Sequence, residues 1–143
     1  MNRLYNIRLR TALLIYISLD VLCVGAGMGV PIFCILFGAP VGWYLGSRVS
    51  TEGTDLRLGL RKILIYAMIT ASVTFVGMGL IWGRCVVMLF DPATDFVNFG
   101  IPMILYQPKA SFIGWLVLMI FISPFLQFLM TIFGGLVAML RGR

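Results

Sequence analysis

The chain has 143 residues, of which 61% are hydrophobic and only 11% charged, whereas soluble domains run at about 45 to 50% apolar and about 25% charged; this composition reads as one polytopic membrane domain over residues 1–143, with loops too short for a separate catalytic unit. The net charge of +6 gathers at the ends of apolar runs, as orientation in a bilayer requires, and offers no basic groove or stacking platform for nucleic acid. With no histidine and with Cys23, Cys34 and Cys85 far apart, imidazole metal or haem sites and CxxC chemistry are excluded, and no cofactor is expected.

Crossing about 30 Å of hydrocarbon takes about 20 helical residues, and four stretches approach that length. The sequence therefore predicts an all-α integral membrane protein with four transmembrane helices at about 11–29, 31–47, 63–83 and 112–140. Arg3, Arg8 and Arg10 ahead of the first run also suit a signal peptide. Asp20 within that run and a second apolar run directly after it argue that the segment is kept as a span.

The first span carries Asp20, the only formal charge inside any of the four stretches. A carboxylate near a bilayer midplane is costly unless it is protonated, paired or put to use. No Lys or Arg occurs in the other spans, which leaves three fates. Asp20 is a hydrogen-bonded structural acid, or it pairs with a basic residue of another subunit, or it binds and releases a proton or cation. Gly27, Gly29 and Pro31 then break the helix and predict a tight hairpin into the second span.

In the second span Gly38, Gly42 and Gly46 recur every four residues on one helical face, a stripe that lets another backbone approach closely. Gly25 and Gly29 supply a matching small-residue pair, so the first span is the expected packing partner, with self-association as the alternative. Pro40, among these glycines, predicts a bend or a freed carbonyl.

The connection from Ser47 to Lys62 holds Arg48, Arg57, Arg61 and Lys62, and Thr54 is the candidate N-cap of a helix running on into the third span. That span places Tyr66, Thr70 and Thr74 on one face, where they are local donors for Asp20; bonding to their own i−4 carbonyls is the ordinary alternative.

The segment at about 85–111 is long, apolar and broken by Asp91, Pro92, Gly100, Pro102 and Pro108. It is predicted to be interfacial or re-entrant, lying at the bilayer surface or folding back over the bundle mouth. Asp91 and Asp95 read as turn or capping residues. The fourth span carries Ser123, Pro124 and Gln127, which predicts a kink and an amide able to donate to Asp20.

Arg3, Arg8, Arg10, Arg48, Arg57, Arg61, Lys62, Arg141 and Arg143 fall on one side of such a topology, and only Arg84 and Lys109 on the other. The expected location is the plasma (inner) membrane with N- and C-termini cytoplasmic. Four spans with one acid in the first resemble, in outline, the small multidrug resistance transporters, whose embedded acid alternates between protons and cationic drugs. That resemblance implies a small proton- or cation-coupled transporter using Asp20; the one-sided basic charge opposes the dual orientation of such dimers. An enzyme is not expected, because a lone Asp without histidine lacks a catalytic set. The expected role is association within the lipid bilayer, with other membrane subunits or with itself.

Overall fold

A computed structural model describes residues 9–26, 31–51 and 55–142. Among them the chain is helical throughout apart from the capping residues Asp55 and Gly142 and the connection 89–107. Helix α1 covers Leu9–Ala26, α2 Pro31–Thr51, α3 Leu56–Met88, α4 Pro108–Val117 and α5 Ser123–Arg141. A π-helical segment, Leu118–Ile122, joins α4 to α5 without a break. Among the described residues three helices are long and apolar enough to cross a membrane: Ile32–Thr51, Leu56–Met88 and the continuous run Pro108–Arg141.

Three of the helices, α2, α3 and the run through α4 and α5, are longer than the apolar runs that signalled them. The second continues past residue 47 to Thr51, with Arg48 in its last turn, where a cation complements the helix dipole, and Thr51 Oγ1 donates to the Ser47 carbonyl at 2.8 Å. The third spans 33 residues rather than 63–83, because the Leu, Arg and Lys residues at its start are good helix formers that satisfy the same backbone ladder outside an apolar slab, and its end runs on through the apolar residues 85–88. Its N-cap position is Asp55, without a side-chain bond; Thr54 lies outside the described residues, as do Gly27 and Gly29 of the expected hairpin. The fourth begins at Pro108 rather than Phe112, with proline at the first helical position, where a missing N–H costs nothing.

Pro124 perturbs the fourth helix in a specific way. Lacking an N–H, it cannot bond the carbonyl one turn earlier, and the preceding turn widens so that Ser123 N–H bonds Leu118 O five residues back. Such bulges are a recognised accommodation to local disruption of the ladder.

The glycine stripe settles the packing. Gly38, Gly42 and Gly46 face α5, against the backbones of Gln127, Thr131 and Gly135. Gly134 in turn meets Ala39 and Trp43 of α2. The stripe is therefore intramolecular, but its partner is α5 and not α1; Gly25 lies in the last turn of α1. The register, 38 beside 127 and 46 beside 135, makes α2 and α5 parallel. Ile63, buried against Gly135 and Met139, and Met78, packed on Cys34, place α3 antiparallel to both.

The bundle is apolar outside and polar inside. Leu14, Leu80 and Phe133 are 64%, 71% and 62% exposed, while Asp20, Thr74, Gln127 and Thr131 are at most 1% exposed. That inversion suits a lipid surround, where the protein interior is the place to satisfy hydrogen bonds.

Connection 89–107 folds back on the start of α4. Helix α3 occupies residues 85–88 of the segment expected to be irregular, and α4 occupies 108–111. Phe96 and Phe99 pack on the buried Phe112 ring, with centroids 5.1 and 5.0 Å away, and Trp82 meets Trp115 edge-on at 6.4 Å. Gly100 turns the chain at φ +80°, a conformation that glycine adopts without steric cost. Asp95 accepts bonds from the Asn98 side chain and from the Val97 and Asn98 amides, and the Asn98 donors hold its carboxyl below the usual range.

Ser111 clamps this connection: its hydroxyl accepts from Leu105 N–H at 2.8 Å and donates to Leu105 O at 3.0 Å. Replacing Ser111 with Ala removes both bonds, about 1 kcal/mol each. The Leu105 amide should then exchange its hydrogen roughly tenfold faster or more, while the amides of α2 and α5 keep their protection; unchanged exchange at Leu105 refutes the clamp.

Candidate functional site

The buried polar layer is assembled by the four-residue repeat of three helices. On α1, Tyr16 and Asp20 share a face; on α3, Thr70 and Thr74 do; on α5, Gln127 and Thr131 do. Side chains at i and i+4 stack on one side of a helix, so each helix brings two polar groups to the same interior.

Asp20, 1% exposed, accepts a hydrogen bond at Oδ2 from Thr74 Oγ1 at 2.7 Å. Thr74 Oγ1 also lies 3.3 Å from the Thr70 carbonyl, which gives the hydroxyl an intrahelical alternative. Thr70 Oγ1 is 3.0 Å from both Tyr66 O and Ala67 O and bonds back to its own helix, as Thr131 Oγ1 does to Gln127 O at 2.8 Å. The Thr70 hydroxyl thus follows the intrahelical alternative, and Thr74 reaches the acid.

Gln127 has a second partner besides the expected one. Its Nε2 donates to the Tyr16 hydroxyl, so the amide ties α5 to α1 through tyrosine, and it is also a side-chain neighbour of the Asp20 carboxyl. The Tyr16 ring stacks on Phe37 of α2, centroids 5.3 Å apart with a 10° interplanar angle. All four long helical runs therefore meet at this level. Tyr66 contributes its backbone carbonyl, and its half-buried side chain lines a groove beside the layer instead of bonding within it.

Tyr16 is the residue sequence reasoning missed. An aromatic with a hydroxyl in a span reads first as an interfacial residue, yet its i−4 spacing from Asp20 was the signal that placed it in the interior. Thr131, at i+4 from Gln127, carried the same signal on α5.

Two acceptors in the layer have no donor among the described residues: Asp20 Oδ1 and Gln127 Oε1. Buried polar atoms are nearly always bonded, so these two acceptors stand out within the layer. Among the described residues no group of three or more His, Cys, Asp or Glu is placed to hold a metal ion. Cys34 is packed in an apolar cluster with Met78 and Trp82, which suits a small packing residue. No protein-family model, curated protein or solved structure matches this chain significantly.

Proposed function

We propose that the protein is a four-span protein of the plasma (inner) membrane, both termini cytoplasmic, that works by association: an accessory or structural subunit of a larger membrane complex, or a homo-oligomer. In this reading α1 is the fourth crossing. Its 18 residues give about 27 Å of helix, close to the hydrocarbon thickness, and its acid is turned away from lipid. The parallel pairing of α2 with α5, with α3 antiparallel to both, suits alternate crossings.

The observation that carries the reading is the surface of connection 89–107. Phe90, Ile104 and Tyr106 are 83%, 70% and 102% exposed, on a segment whose other aromatics are anchored to the bundle. Exposed apolar side chains on an ordered, non-spanning segment favour contact with a partner over contact with water. Asp20 does not supply the contact: at 1% exposure, a partner's cation reaches it only by opening the bundle. Hence the structural fate of the acid is preferred to pairing across subunits.

The full chain should leave native membranes in mild detergent as a particle of defined stoichiometry larger than a monomer. Ile104→Ser with Tyr106→Ser should reduce it to the monomer without lowering the unfolding midpoint. A monomeric wild type, or an assembly unmoved by the double substitution, refutes the reading. The open Oδ1 of Asp20 favours a second reading, a small proton- or cation-coupled transporter; there the purified chain alone drives pH-dependent flux in proteoliposomes, and Asp20→Asn abolishes it.

A further inference from the structure

Beside the polar layer, α1, α2 and α3 enclose an apolar groove of about 300 Å³, at the lower end of ligand-sized sites, ~300 to 1,000 Å³. It runs along α1 from Ala12 to Leu19, with Tyr44 and Tyr66 at the end nearest Ala12 and Phe37 on its far wall. At that level α1 and α3 begin and α2 ends, so their terminal charges lie at the same end of the bundle. Arg10 precedes Ala12, Arg48 follows Tyr44 by one turn, and Lys62 precedes Tyr66 by one turn. Arg48 Nη1 lies 3.4 Å from the Tyr44 hydroxyl, which directs the guanidinium toward the groove end.

An apolar channel at bilayer depth, with Arg48 bonded to a tyrosine at one end and Arg10 and Lys62 at the same ends of the neighbouring helices, has the charge and polarity pattern of a single lipid. We propose that it is a binding site for one anionic phospholipid, its acyl chain along the groove and its phosphate at Arg10, Arg48 and Lys62. Any acyl chain can fill an apolar crevice, so selectivity rests on the headgroup. Basic pockets between helices on the cytoplasmic side select anionic lipids because arginine and lysine offer charge-assisted hydrogen bonds to phosphate. This site is independent of the association surface on 89–107, at the opposite end of the bundle.

The test uses the full chain, delipidated in detergent and examined by native mass spectrometry with phosphatidylglycerol or phosphatidylcholine of identical acyl chains. The wild type should retain one phosphatidylglycerol, at roughly tenfold or greater preference. Arg48→Gln and Lys62→Gln should each reduce that preference about fivefold, the scale expected for one cation near an anionic headgroup. Ala12→Phe, which fills the groove, should reduce retention of both lipids. Arg141→Gln is the control: its guanidinium lies over Trp43, 5.7 Å from the ring centroid, at the same end but outside the groove, and its loss should leave the preference intact. Equal retention of the two lipids by the wild type overturns the proposal, as does a loss in Arg141→Gln matching that in Arg48→Gln, or an Ala12→Phe chain that binds as the wild type does. Arg10, Arg48 and Lys62 lie outside the polar layer, so circular dichroism of the charge variants should match the wild type and keeps the comparison valid whatever Ala12→Phe does to folding.

Discussion

Gly42→Ala is expected to destabilise the protein by about 3 kcal/mol, the upper end of the usual cost of overpacking. A methyl group on Gly42 would collide with the Thr131 carbonyl oxygen, and would lie 2.8 Å from Thr131 C and 2.9 Å from Gly135 N. Every one of these atoms is backbone held in a helix, so no rotamer change relieves the contact and α2 must move off α5. A methyl group on Gly46 would lie 2.9 Å from both Gly135 C and Cα, and alanine there should respond likewise. Gly79 is the contrast: nothing lies within 4 Å of its added methyl, and alanine there should stabilise by about 0.5 to 1 kcal/mol through helix propensity alone. Unfolding in mixed micelles by a denaturing detergent measures both. If Gly42→Ala unfolds at the wild-type midpoint, close backbone packing is not what holds α2 to α5.

The same stripe illustrates what a single sequence specifies and what it withholds. Glycines at 38, 42 and 46 define a face, because i+4 spacing is a property of one helix. The identity of the partner is a property of two helices, and on spacing Gly25 with Gly29 offered a better match than the adjacent Gly134 and Gly135. Three of the four expected spans were legible as helices of membrane-crossing length, because about 20 apolar residues in a row have few other uses. Helix ends were not: polarity marks where lipid ends, whereas the backbone ladder runs on through Arg48 at one end of α2 and through Arg57 to Lys62 at the start of α3. Pro124 announced a disturbance in the fourth helix, but whether the chain would kink, break or widen into a π turn depends on its neighbours. The polar layer was legible in its acid, its Thr74 donor and its Gln127 amide. The amide's choice of Tyr16 was not, since several acceptors at one level compete and only three-dimensional placement ranks them.

Thr74→Val should cost more than Asp20→Leu, although it deletes the smaller polar group. Valine removes the donor to Asp20 Oδ2 and leaves a buried carboxyl group with both oxygens unpartnered, since Oδ1 has no donor already. Orphaning a buried acceptor costs about 1 to 3 kcal/mol, and more where the group is charged. In Asp20→Leu the acid itself is gone, and the Thr74 hydroxyl retains the Thr70 carbonyl at 3.3 Å, so no donor is stranded. The bond by itself is worth less than either effect; interhelical hydrogen bonds between membrane helices average about 0.6 kcal/mol and reach about 1.7. A double-mutant cycle separates the two quantities. Asp20→Leu with Thr74→Val should recover most of the stability lost in Thr74→Val, because removing both partners of a buried pair is nearly neutral. Should Thr74→Val be the milder single substitution, or the double variant be the least stable of the three, Asp20 is not held by Thr74 and the interior polar layer has a different organising contact.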